Sequence, residues 1–114
     1  ADVFAYELLE DSGLVVGGFP FGVFHNWDLE FLFDTSVPGS QNPDLTPAQA
    51  ALSATMVRQW GRFAATGSPD GRGLPRWPEH GRTGVVQGLA AGEGGIAPTP
   101  SADTHHCDFW STLP

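Results

Sequence analysis

The first apolar run of the chain, Val3 to Leu9, reads V-F-A-Y-E-L-L, with Glu7 its only charge. A short and nearly continuous apolar run suits a strand covered on both faces, as in the parallel sheet of an α/β protein. Leu14 to Val16 is a second apolar patch, fit either to extend that strand region or to line a loop. Gly17 to Gly22 (G-G-F-P-F-G) is loop by its glycines and proline. Leu29, Phe31, Leu32 and Phe33 then cluster and predict a short helix or turn packed on a core. From Asp34 to Asp44 nearly every residue is a turn former, which predicts a surface loop.

The strongest pattern follows. Thr46 is a candidate N-cap, Pro47 stands at the first helical position, and Gln49 completes a capping box. Leu52, Met56, Trp60, Phe63 and Ala64 recur at helical spacing and form one apolar face. Gly67 closes the helix and Pro69 prevents its continuation. About 19 residues at 1.5 Å rise predict roughly 28 Å of helix. Its aromatic stripe asks for a substantial partner surface.

Beyond it, Gly67 to Pro78 is loop, and Val85, Val86 and Leu89 predict one short strand. Ala90 to Ser101 reads as irregular, being rich in Gly, Ala and Pro. Asp103 or Thr104 is placed to cap a final helical turn, with Cys107, Trp110 and Leu113 on one face and Cys107 a small buried hydrophobe. One long helix and one or two strands are thin for 114 residues. The expectation is a piece of a larger fold, with an apolar patch and an unpaired strand edge left open.

Composition narrows the function classes. The chain has 5 basic residues, all arginines, against 13 acidic ones, a net charge of −8. That balance, without a basic stripe, argues against nucleic-acid binding and against docking on an anionic membrane surface. The longest mostly apolar stretch, Leu14 to Phe24, is broken by glycines and a proline and is too short for a membrane span. One cysteine cannot form an internal disulfide. No signal peptide is visible in Ala1 to Leu9, so the segment leaves both a cytoplasmic and a secreted location open.

His25 is the first candidate for chemistry. It follows a glycine-rich loop and is flanked by Phe24 and Trp27. An imidazole in such a loop suits a general base, and the alternative is a hydrogen-bonded structural histidine. His105, His106, Cys107 and Asp108 form a second cluster, but adjacent histidines point apart, and His80 is a lone distant partner, so no metal site is expected. Asp28 and Glu30 read as a solvated turn, with Asp28 placed to orient His25. No G-x-S-x-G, phosphate loop, C-x-x-C or H-E-x-x-H occurs, and no cofactor is implied.

Four pieces in order resemble one family, the type-B carboxylesterases, the α/β-hydrolase group that includes cholinesterases and p-nitrobenzyl esterases. Its catalytic-histidine segment, G-x-x-H-G-x-E/D-L, is matched by Gly22-Val23-Phe24-His25-Asn26-Trp27-Asp28-Leu29. Its following helix is matched by Leu45-Thr46, Leu52-Ser53, Met56, Trp60, Phe63-Ala64 and Thr66-Gly67-Ser68-Pro69. P-x-W-P-x-Y is matched by Pro75-Arg76-Trp77-Pro78-Glu79-His80, with histidine for tyrosine, and C-x-F-W by Cys107-Asp108-Phe109-Trp110. Asn26 stands for the usual glycine, and Asp28 for the commoner glutamate.

The resemblance implies an α/β fold over residues 1–114. It would be the C-terminal portion of an α/β hydrolase: a buried parallel strand, a catalytic-histidine loop, a long helix and a loop-rich tail, incomplete alone. It implies that His25 is the base of a Ser–Glu/Asp–His triad, with the serine, the triad acid and the oxyanion loop upstream in the family. Asp28 would stand behind His25, and Phe19, Phe21, Phe24 and Trp27 are candidates to line a pocket for a small ester substrate. The partner of the segment would be the N-terminal portion of the same protein, and the segment alone would be inactive. The alternatives are a non-catalytic interaction protein of the same fold and a small acidic binding domain.

Overall fold

The computed structural model of the chain describes residues 1–33 and 44–113. The loop expected from Asp34 lies, apart from Asp44, outside the described residues. β1 (Ala5–Leu8) is followed by a small hairpin of β2 (Val15–Val16) and β3 (Phe19–Pro20). α1 (Trp27–Phe33) and the long α2 (Pro47–Thr66) come next. The short α3 (His80–Thr83), β4 (Val86–Leu89), β5 (Ile96–Thr99), α4 (Ser101–Thr104) and α5 (Cys107–Ser111) complete the chain.

The main sheet has the order β1-β4-β5. β1 and β4 are parallel, in register from Ala5 opposite Val86 to Leu8 opposite Leu89. β5 returns antiparallel on β4, with Leu89 opposite Ile96. Ala90 to Ser101 is therefore not irregular throughout. Pro98 falls on an edge strand, where a missing N–H is tolerated. Gly88 sits in close quarters: a Cβ at this position would stand 2.9 Å from Leu9 Cδ1 and 3.0 Å from the Ala97 carbonyl oxygen. β1 corrects the expectation of a strand buried on both faces. It pairs with β4 alone among the described residues, Tyr6 is exposed, and none of its residues is fully buried.

α2 forms as its ends dictate. The Thr46 side chain accepts from the Gln49 N–H, and Gln49 Oε1 accepts from the Thr46 N–H. Gly67 takes the left-handed conformation at φ 77° and returns its N–H to the Phe63 carbonyl. The buried face differs from the expected stripe. Leu52 and Met56 are buried and Trp60 is half-buried, but Phe63 and Ala64 are exposed. Gln49 and Gln59 take the remaining buried seats, and Gln59 Nε2 donates to the Pro75 carbonyl at 3.0 Å.

Trp27, Phe31, Leu52, Met56, Trp77 and Leu89 make the core. α1 lies along α2 and is tied to it by Ser53 Oγ, which donates to the Phe31 carbonyl at 2.6 Å. Trp77 Nε1 donates to the Ala5 carbonyl at 3.1 Å, which holds the loop after α2 on β1. Tyr6 fastens β1 to the start of α1: its hydroxyl donates to Asp28 Oδ2 at 2.9 Å. Its ring meets Trp60 and Trp77 edge-on, with centroids 5.0 and 6.1 Å away. Desolvation, the hydrogen bond to Asp28 and the charge of Asp28 together push the phenol up to about 12.

The tail also departs from expectation. Cys107 is exposed rather than buried, and Phe109, Trp110 and Leu113 are exposed with it. No side chain caps α5, whose N-cap residue, His106, sits at φ 52°. The tail meets the sheet through His105 Nε2, 2.7 Å from Glu7 Oε1. That contact is the first cause that holds the Glu7 carboxyl below its ordinary range, against a smaller opposing effect of burial. Among the described residues no helix is long and apolar enough to cross a membrane.

Two measurements check this packing. Leu89→Ala is expected to lower unfolding stability by about 2–5 kcal/mol, whereas Phe63→Ala, at 45% exposure, costs less than about 1.5 kcal/mol. Equal losses in denaturant titrations would mean that the C-terminal half of α2 is covered in solution. The second uses Tyr6, the single tyrosine of the sequence. Its phenol, followed by ultraviolet absorbance, should titrate above its ordinary 10, toward about 12. Because the raised pKa favours the protonated form in the folded state, this contribution to stability is complete below pH 10 and fades as pH rises toward 12. Asp28→Asn should bring the midpoint down, and an unchanged midpoint would disprove the Tyr6–Asp28 bond.

Candidate active-site segment

The loop that carries His25 leaves the C-terminal end of β1. Glu10 and Asp11 begin it, and the buried Ser12 closes its root by donating its N–H to the Gly22 carbonyl at 3.0 Å. Within the closed loop, β2 and β3 pair Val15 with Pro20 and Val16 with Phe19. Gly17 and Gly18, at φ 58° and 82°, make the two-residue turn. Positive φ at both turn residues matches the twist of a tight hairpin, and glycine adopts it without steric cost. The sequence predicts loop over Gly17 to Gly22 and leaves Leu14 to Val16 open between strand and loop; the structure pairs the two stretches as a hairpin.

His25 follows, exposed, in the turn before α1. Among the described residues no hydrogen bond or ion pair occupies its ring, so both nitrogens are open to a partner. Asn26 sits at φ 70°. Glycine adopts that left-handed conformation freely, and asparagine is among the other residues that best tolerate it, so Asn26 suits this turn. The Trp27 N–H returns to the Phe24 carbonyl at 3.1 Å and the Leu29 N–H to the Asn26 carbonyl at 3.1 Å, so His25 lies within a hydrogen-bonded turn that leads into α1.

The four candidate pocket aromatics form a chain rather than a wall. Phe19 meets Phe21 at 5.8 Å, Phe21 meets Phe24 at 6.2 Å, and Phe24 meets Trp27 at 5.4 Å between centroids. Trp27 then meets Phe31 at 5.3 Å. Phe19 is 66% exposed and Trp27 1%. Phe19 and Phe21 thus present open faces, Phe24 is half-buried, and Trp27 belongs to the core beneath them. Trp27 Nε1 has no hydrogen-bond partner among the described residues.

Asp28 is two residues beyond Asn26 on the first turn of α1, and its carboxylate receives the Tyr6 hydroxyl. It braces the helix that follows His25; no bond from Asp28 to the imidazole is present among the described residues. Two of the other histidines are engaged elsewhere: His80 Nδ1 lies 3.0 Å from the Val85 carbonyl, and His105 lies on Glu7, while His106 is exposed in the C-terminal tail. Among the described residues no group of three His, Cys, Asp or Glu side chains is placed to hold a metal ion. Glu10 is the residue that sequence reasoning passed over. Its Oε2 accepts from the Ala91 N–H at 2.7 Å and its Oε1 from Gln49 Nε2 at 2.9 Å. No local signal marks it, because its partners lie 39 and 81 positions away in the chain.

The fold of the chain is shared by solved structures. A thermophilic PNB esterase superposes on 92% of the chain with a TM-score of 0.67 at 21% identity, the match covering 21% of that structure. Aspergillus niger EstA superposes on 97% of the chain with a TM-score of 0.70 at 22% identity, covering 22% of its own chain. At these identities the likeness establishes the fold, that of α/β-hydrolase carboxylesterases. By sequence, the chain is 31% identical to the acetylcholinesterase of Gallus gallus over 96% of its length, and 50% identical to carboxylesterase 3 of Pongo abelii over 63%. The matched regions span 14% and 12% of those relatives. The carboxylesterase family model covers residues 1–110, and with nearly the whole segment under that match the chain belongs to the carboxylesterase family.

Proposed function

We propose that this chain is the part of a serine carboxylic-ester hydrolase that supplies the general-base histidine, His25. The serine nucleophile, the triad acid and the oxyanion donors then lie in sequence upstream of it, as the arrangement of the family implies. The observation that carries the reading is the state of His25: exposed, on the loop that leaves the carboxyl end of a parallel strand, in the family motif, with a ring that no described residue occupies.

The chemistry needs a base that is positioned yet uncommitted. His25 would take the serine proton as the oxygen attacks the ester carbonyl and would return it to the leaving alkoxide. In the second half it would deprotonate water as water attacks the acyl-enzyme, and then reprotonate the serine. One ring nitrogen must face serine while the other faces the triad acid, so an imidazole tied within its own segment would be unfit. The open faces of Phe19 and Phe21, joined through Phe24 to the His25 turn, supply apolar surface suited to the acyl or alcohol part of a small ester substrate. Asp28, held by Tyr6, keeps the first turn of α1 in place behind the base.

Two outcomes test this reading. The 114-residue chain alone should hydrolyse no p-nitrophenyl ester above a heat-inactivated control, because nucleophile and oxyanion donors are absent from it. In the complete protein, His25→Ala should reduce kcat by a factor on the order of 10³ or more, with little change in KM. Full turnover in His25→Ala would assign the base to another residue.

A further inference from the structure

The loop that presents His25 has two roots, and they are held by different chemistry. The C-terminal root is Trp27, buried among Phe24 and Phe31. The N-terminal root has no large apolar anchor of its own: Asp11 and Gly13 are exposed, and the only buried residue there is the small Ser12. What holds it is a carboxylate.

Glu10 stands where β1 has ended, one residue after the Leu9 N–H closes on the Leu89 carbonyl at 2.9 Å. Its two oxygens reach different elements. Oε2 takes the Ala91 N–H at 2.7 Å, in the turn that joins β4 to β5. Oε1 takes Gln49 Nε2 at 2.9 Å, on the first turn of α2. Gln49 is 8% exposed, and all of its polar capacity is directed at this junction. Its Oε1 closes the capping box on Thr46, while Nε2 also donates to the Asp11 carbonyl at 3.3 Å. From there the chain passes to Asp11, whose Oδ1 accepts the Gly13 N–H at 2.7 Å, and to the Ser12–Gly22 closure.

We propose that Glu10 is a positioning residue for His25: by joining the β4–β5 turn to the first turn of α2, it fixes the root from which the histidine loop springs. The proposal rests on the reading of His25 as the general base. The physical argument is one of geometry and strength. Hydrogen bonds to an ionised carboxylate are shorter and about twice as strong as neutral ones. Two of them aimed at separate elements define a position, where one would define only a distance. A root displaced by a fraction of an ångström moves an imidazole that has no anchor of its own, and misplacement on the scale of 1 Å costs on the order of a hundredfold in rate.

The test compares Glu10→Ala, Glu10→Gln and, as a charge control, Glu93→Gln in the complete protein; Glu93 is exposed in the β4–β5 turn. Amide hydrogen exchange is measured on peptides covering residues 11–26 and 54–66, together with kcat and KM on a p-nitrophenyl ester. Glu10→Ala should speed exchange over 11–26 by about tenfold to a hundredfold, the loss of two hydrogen bonds to a charged group, and leave 54–66 unchanged. It should lower kcat about tenfold or more with KM nearly constant. Glu10→Gln keeps one carbonyl acceptor and should fall between wild type and Ala, and Glu93→Gln should match wild type. Equal acceleration over both segments would make Glu10 a general stabiliser and overturn the proposal. So would unchanged exchange over 11–26, or an unchanged kcat despite a loosened loop. A complete wild-type protein without esterase activity would instead sink the reading of His25, and the exchange data would still report whether Glu10 holds the loop.

Discussion

The parallel pairing of β1 with β4 is the constraint on which the other features depend. Parallel neighbours cannot be joined by a tight turn; the chain must leave the sheet and return. Here the excursion holds the β2–β3 hairpin, α1 and α2, and α1 and α2 bury Trp27, Phe31, Leu52 and Met56 against Leu89 of β4. Because Leu8 lies opposite Leu89, the two strands end level, and the segments that follow them meet at one place. That is why Glu10 and Ala91 touch although 81 positions separate them. It is also why the histidine loop opens at the carboxyl end of a parallel strand, where α/β sheets commonly build their sites.

How much of this was legible in the sequence depends on how local the causes are. The ends of α2 are set by Thr46, Pro47, Gln49 and Gly67, each acting within one turn of itself, and the structure reproduces them. Its buried face was less legible, because Phe63 has the character of a core residue but meets Phe4 only edge-on and stays 45% exposed. Gln59, polar yet fully buried, is explained by the Pro75 carbonyl, a partner no periodicity could name. β5 escaped notice because Pro98 reads as a breaker, and only its position on an edge strand makes it harmless. The hairpin was written in V-V-G-G-F-P, two apolar pairs about a glycine turn, and was passed over because the glycines were read as loop alone.

At the site the division is similar. His25 is visible through its motif, and Asn26, where the motif has glycine, sits in a left-handed conformation that asparagine tolerates. Trp27 was placed beside the pocket because aromatics near a catalytic residue suggest one; helix periodicity from Trp27 to Phe31 points it to the core instead. Glu10 carried no signal of its own. An acid after a strand is ordinarily solvated, and its partners lie 39 and 81 positions away in the chain.

The unlike nature of the two loop roots has a thermal consequence. The aromatic side, from Phe19 through Trp27 to Phe31, is held by apolar contact, which weakens as water is cooled. The carboxylate side is held by direct, partly buried hydrogen bonds from neutral N–H donors, which cooling leaves in place and salt screens little. Cooling therefore weakens the Trp27 end of the loop more than the Glu10 end. The histidine between them hangs from two anchors that respond differently to temperature.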